Sequence, residues 1–165
     1  MRRADRWWPQ PVNAYDRGVA EARVAVQNAP TGSNRALLDR AMSDLRQSIN
    51  RDPANAAAWA WLAYGLVIEQ GASPATIDAL SMSIELARFD PALLAMRCEI
   101  GLAVYGSLDA PRKAAVNDQI RLLGRRSIGD LFVVARLTHS LNVVIEALLG
   151  GDNQTVIRFM NMLRS

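Results

Sequence analysis

Two Asp-Pro pairs, Asp52-Pro53 and Asp90-Pro91, stand 38 residues apart in a chain that otherwise reads as one helix after another. Proline lacks a backbone N–H, and its ring clashes with the turn before it, so no helix runs through either pair. Each pair closes one helix and is expected to open the next, with Asp as N-cap and Pro in the first turn. Apolar stripes at helical spacing flank both pairs. Leu38, Ala41, Leu45 and Ile49 precede the first pair, and Trp59, Leu62, Ala63 and Leu66 follow it. Ile77, Leu80, Ile84 and Ala87 precede the second, and Leu94, Cys98, Gly101 and Tyr105 follow it. β-Branched residues nowhere alternate with polar ones over a useful length, so strands are not expected. Short helices broken at short intervals can bury their stripes only as antiparallel hairpins, which makes the chain all-α.

The remaining punctuation extends this pattern. Tyr15, Val19, Ala22 and Val26 form a first stripe, and "APTGSN" at 29–34 reads as a loop. The helix of Trp59 should stop near Gly71. "SPAT" at 73–76 is a cap followed by a proline, a start signal. Asp109 and Pro111 should open a helix carrying Val116, Ile120 and Leu123, broken at "GRRS". Less regular helices are expected near 128–137, 140–149 and 153–163, with Gly150-Gly151 as a break. Residues 13–165 then form one helical domain. Residues 1–12 form a tail or a juxtamembrane remnant, since Trp7 and Trp8 beside arginines suit a membrane interface as well as a frayed end.

Several chemistries are disfavoured by residue type. Cys98 is the only cysteine, so an internal disulfide and a cysteine-based metal site are both excluded. His139 is the only histidine, with no local partner for nucleophilic catalysis. Without strands, no Gly-rich loop can follow one to cradle a cofactor. The expectation is therefore no enzyme, no cofactor and no metal. No window of eighteen apolar residues is present, so no transmembrane segment is expected, and "MRRADRWWPQPV" lacks the apolar run of a secretory leader. Two localisations stay open: a cytoplasmic protein, or the periplasmic soluble domain of an anchored one.

The register across both junctions resembles the tetratricopeptide repeat (TPR), a helix–turn–helix unit of about 34 residues. Ala41, Leu45 and Pro53 match the family's second-helix spacing, and Ala79, Ser83 and Pro91 repeat it. Six residues after Pro53 comes Trp59 with Leu62-Ala63 and Leu66; six after Pro91 comes Arg97 with Ile100-Gly101 and Val104. The resemblance is clearest over residues 35–108. It implies a stack of antiparallel hairpins, a short right-handed α-solenoid, with a less regular C-terminal helical cap. The departures are definite. Arg97 stands where the family places Trp, Ser83 where it places an aromatic, and the middle unit is about one helical turn too long. An Arg at this position should lay its stem on apolar surface and send its head to solvent or an acid. Trp59 should be buried within its hairpin.

The resemblance implies a non-enzymatic scaffold whose groove, lined by first helices, binds a protein or peptide partner. By position it assigns Ala57, Ala60, Tyr64, Ile68, Cys98, Leu102 and Tyr105 to that groove; the alternative is that they pack under the C-terminal helices. A second reading comes from Arg112, Lys113, Arg121, Arg125 and Arg126, which cluster along one helix and could bind a polyanion, nucleic acid or acidic glycan. Asp109 and Asp118 interleave and no aromatic stands among them, so specific nucleic-acid binding is not expected. The layout also resembles short bacterial TPR proteins encoded with exopolysaccharide or O-antigen machinery. The residues that carry this likeness are "SIELARFDPALLAMRCEIGLAVYG", a basic helix, and "GDLFVVARLTHSLNVVIEALL". That likeness implies an accessory of cell-surface polysaccharide biosynthesis or export, working beside a membrane-embedded assembly.

Overall fold

A computed structural model describes residues 14–27 and 32–164. The described residues are helical throughout, with no strand among them. In chain order the helices are α1 (Ala14–Gln27), α2 (Gly32–Arg51), α3 (Ala56–Gln70), α4 (Pro74–Leu86) and α5 (Leu94–Ala103). After a 3₁₀ turn at Tyr105–Ser107 come α6 (Ala110–Arg126), α7 (Ile128–Leu137), α8 (Leu141–Leu149) and α9 (Asn153–Met162). The expected tail at 1–12 lies outside the described residues, as does most of the 29–34 loop. Its end is not a loop, because α2 begins at Gly32 and takes Ser33 and Asn34 into its first turn, where small polar residues are well tolerated.

Consecutive helices pair as α1 with α2, α3 with α4, and α5 with α6, and each odd helix also packs on the next odd one, from α1 through α3 and α5 to α7. The stripes explain the pairing. Leu38, Ala41, Leu45 and Ile49 of α2 are buried, as are Leu62, Ala63 and Leu66 of α3 and Ile77, Leu80 and Ile84 of α4. Small residues set the closest approaches. A Cβ on Gly65 would lie 2.9 Å from Met42 Cγ, and one on Gly101 2.8 Å from Val116 Cγ1. In the C-terminal half α6 is central, touching α5, α7, α8 and α9. Gly124 lies inside α6, where a Cβ would stand 3.0 Å from Thr155 and 3.2 Å from Leu131.

Most helix ends follow the local chemistry. Ser73 caps α4 ahead of Pro74, Asp109 caps α6 through the Arg112 N–H at 3.0 Å, and Ser127 separates α6 from α7. The Asp-Pro pairs act differently from the expectation. Asp52 does not cap α3, nor does Pro53 open it. Asp52 Oδ1 accepts the Ala54 N–H at 3.2 Å, a local Asx turn that consumes the carboxylate, and Asn55 caps α3 through the Ala58 N–H at 3.0 Å. Asp90 repeats the turn, accepting the Ala92 N–H at 2.9 Å, and α5 starts from Leu93 with no side-chain cap.

Two further expectations are corrected. Trp59 is only half-buried: it packs on the core, and its indole Nε1 donates to the Pro53 carbonyl at 2.9 Å, so it closes the turn before it. Arg97 does not send its head group to solvent; it is fully buried. Its guanidinium donates to Ser83 O at 2.5 Å, Ala87 O at 2.8 Å and Ser83 Oγ at 3.0 Å. Gln119 of α6 completes the cluster, its Nε2 donating to Arg88 O at 2.9 Å. α4 ends without a glycine or a side-chain cap of its own, leaving carbonyls to be satisfied. Arg97 and Gln119 satisfy them, and the negative end of the helix dipole favours the cation without any carboxylate in contact. Burial still lowers the Arg97 pKa to about 10, opposed by the nearby charge of Asp90. The two positions that depart from the repeat pattern, Ser83 and Arg97, are thus one another's partners: the small Ser leaves room for the guanidinium that replaces an aromatic.

Candidate functional site

α3 is apolar on nearly every face, so burying one side against α2 and α4 leaves apolar side chains on another. Trp61, Tyr64 and Ile68 follow one another at helical spacing along that side, with Ile68 50% exposed. The Trp61 and Tyr64 rings meet edge to face, 6.1 Å apart at 78°. α5 lies alongside, and the Tyr64 hydroxyl donates to Glu99 Oε1 at 3.2 Å, tying the two first helices together. Burial pushes the Tyr64 phenol up to about 12, and the Glu99 carboxylate, by charge and by accepting its proton in a hydrogen bond, pushes the same way. The hydroxyl therefore stays a donor throughout the neutral range, presenting an apolar ring with a fixed polar tip.

The residues assigned to a groove divide. Ala57, Tyr64 and Ile68 reach the surface of α3. Ala60, Cys98 and Leu102 are buried, at 0%, 0% and 4% exposure, and offer no surface to a partner. Ala60 is covered where α3 meets Leu93 and Ala56, and Cys98 and Leu102 point into the main core. Burial raises the Cys98 pKa far above neutrality, so it holds no thiolate for chemistry. Tyr105 is half-buried and turned toward α6, where its hydroxyl donates to Asn117 Oδ1 at 3.0 Å and Lys113 Nζ lies 5.5 Å from its ring centre. Trp61 and Glu99 are the members of this face that the repeat register did not nominate. Helical spacing from Tyr64 points to Trp61, but nothing in the sequence signals that Glu99 meets Tyr64.

The basic helix is mostly engaged. Arg112 pairs with Asp78 at 2.9 Å and Asp109 at 3.0 Å. Arg121 pairs with Asp118 at 3.0 Å and donates to Ala147 O at 2.8 Å; Asp118 also holds Arg88. Arg125 pairs with Asp152 at 3.2 Å, whose pKa is lowered by its capping bonds to Thr155 and by Arg125. Lys113 and Arg126 form no ion pair among the described residues. These pairs tie α6 to α4, α8 and the start of α9, so the cluster is largely a set of inter-helix ties. No described helix is long and apolar enough to cross a membrane. No family model, no curated protein and no solved structure matches the chain.

Proposed function

We propose that this chain is a non-enzymatic, TPR-like scaffold that binds a protein or peptide partner on the α3–α5 face. The observation that carries the reading is the row Trp61, Tyr64 and Ile68 beside Glu99, in which Ile68 is half-exposed and the two aromatic rings are partly buried against the core. Contiguous exposed apolar residues mark interaction surfaces, whereas scattered ones do not. Packing of each odd helix on the next supports the repeat-like reading, because a shared face built from first helices is what such a stack presents. The polyanion alternative has less support, since three of its five cations are already held by carboxylates. The resemblance to proteins encoded with polysaccharide machinery makes a membrane-embedded synthesis or export assembly the first partner to try.

Ile68→Asp tests the face. Ile68 is half-exposed, so the variant should keep its helicity and lose less than about 1 kcal/mol in a urea melt. Capture of the partner in a pull-down should disappear. A folded variant that still captures it would place the binding surface elsewhere.

A further inference from the structure

We propose that the cleft between α7, the α7–α8 turn and the end of α9 is a binding site for a small carboxylate carried on an apolar chain. The cleft is open to solvent, has a volume of about 530 Å³ and is lined by Phe132, Arg136, His139, Leu141, Met162 and Leu163. That volume lies within the roughly 300–1,000 Å³ of small-ligand sites. On one wall, Phe132 meets the fully buried Phe159 edge to face, with ring centres 5.8 Å apart. The Arg136 guanidinium lies over the Phe132 ring, 5.9 Å from its centre. Among the described residues Arg136 makes no ion pair and no side-chain hydrogen bond, so its fork of donors is unspent at the mouth of an apolar cleft. Among the described residues no carboxylate lines the cleft, so charge complementarity selects an anionic head and the leucine and methionine walls select an apolar tail.

His139 supplies the second, independent observation. α7 ends in a Schellman motif: the Ser140 N–H donates to Ala135 O at 2.9 Å and the His139 N–H to Arg136 O at 3.2 Å. The residue at its bend has a φ of 52°, a conformation that glycine adopts freely and a side chain resists. The chain nevertheless places its only histidine there, and the strained turn holds it at the lip of the cleft beside Arg136. Backbone strain retained where a side chain enters a cleft points to a use for that side chain. An imidazole N–H and a guanidinium can then grip the two oxygens of one carboxylate, with the tail lying toward Leu141, Met162 and Leu163. The site is separate from the α3–α5 face and does not depend on it.

Decanoate titrated into the ¹⁵N-labelled full chain tests the proposal, with decanol and acetate as probes of tail alone and head alone. Decanoate should shift the amides of His139, Leu141 and Met162 and saturate, while the other two should not. Arg136→Ala should weaken decanoate by about tenfold or more, the effect of losing one charge-assisted hydrogen bond. His139→Gly should also weaken it while leaving the urea midpoint unchanged or higher, because glycine relieves the turn. Decanol binding as tightly as decanoate, no saturation with decanoate, or full affinity in His139→Gly would each overturn the site.

Discussion

The two Asp-Pro junctions share a backbone and differ in what completes them. At both, the aspartate closes an Asx turn and the next helix begins three or four residues later. Six residues beyond each proline the sequence diverges, to Trp59 in one case and Arg97 in the other. Trp59 donates to its own turn, at Pro53 O, and keeps part of its ring in solvent. Arg97 reaches back to the end of the preceding helix and disappears from the surface. The difference begins at the helix before. α2 runs to Arg51, directly ahead of Asp52, whereas α4 stops at Leu86 and leaves Ala87, Arg88 and Phe89 to cover the distance to Asp90. Carbonyls exposed by that early stop give a buried cation something to bind. The same turn can therefore support an aromatic or an arginine, according to how the previous helix finishes.

The sharpest way to break the comparison is to truncate both side chains. Arg97→Ala should cost roughly 3–5 kcal/mol, because it leaves buried carbonyls unsatisfied and a cavity behind. Trp59→Ala, at a half-buried position, should cost less, about 2–3 kcal/mol. Urea melts of the two variants decide it, and a larger loss at Trp59 would mean that the buried cluster does not hold the second junction. Ser83→Ala comes next, at about 1–3 kcal/mol. Its hydroxyl donates to Ala56 O at 2.7 Å and accepts from Arg97 Nε, so its loss disturbs both hairpins. In an Arg97→Ala background the same change should cost markedly less, and full additivity in that double-mutant cycle would contradict the coupling. The smallest effects test the shared part. Asp52→Ala should cost about 0.5–1 kcal/mol by loss of one exposed turn bond, and Asp90→Ala somewhat more, because Asp90 also faces the buried Arg97 cation; a smaller loss of Tm at Asp90 than at Asp52 would contradict that support.

Much of this architecture was legible because its signals are local. Ser73, Asp109 and Ser127 announce helix starts within four residues of sequence, and the breaks at Gly71 and at Gly150-Gly151 fall where expected. The role of Asp52 was missed because Asp-Pro-Ala offers two local solutions, a helix cap and an Asx turn, and only Asn55 decides between them. Arg97 was misplaced for a different reason. Two of its partners are backbone carbonyls, which no side-chain pattern advertises, and they lie in and just past a separate helix. At the candidate face, Tyr64 and Ile68 were nominated by the positions that the repeat resemblance gives them. Ala60, Cys98 and Leu102 do not reach the surface, because how deeply α5 seats against α3 depends on packing between helices and not on the period within either.

The arginine-capped end of α4 bears on how such a chain could grow or shrink. In a regular array each hairpin meets only its neighbours, so units can be added or deleted with the ends resealed. Here the last carbonyls of one hairpin are held by side chains from both helices of the next, Arg97 and Gln119. A cut between α4 and α5, or a duplicated hairpin spliced in there, would strand those carbonyls unless the newcomer carried the same arginine, its serine and its glutamine in step. That seam is held by a buried cation and its hydrogen bonds as well as by apolar packing, so a hairpin exchanged there must bring the same partners with it.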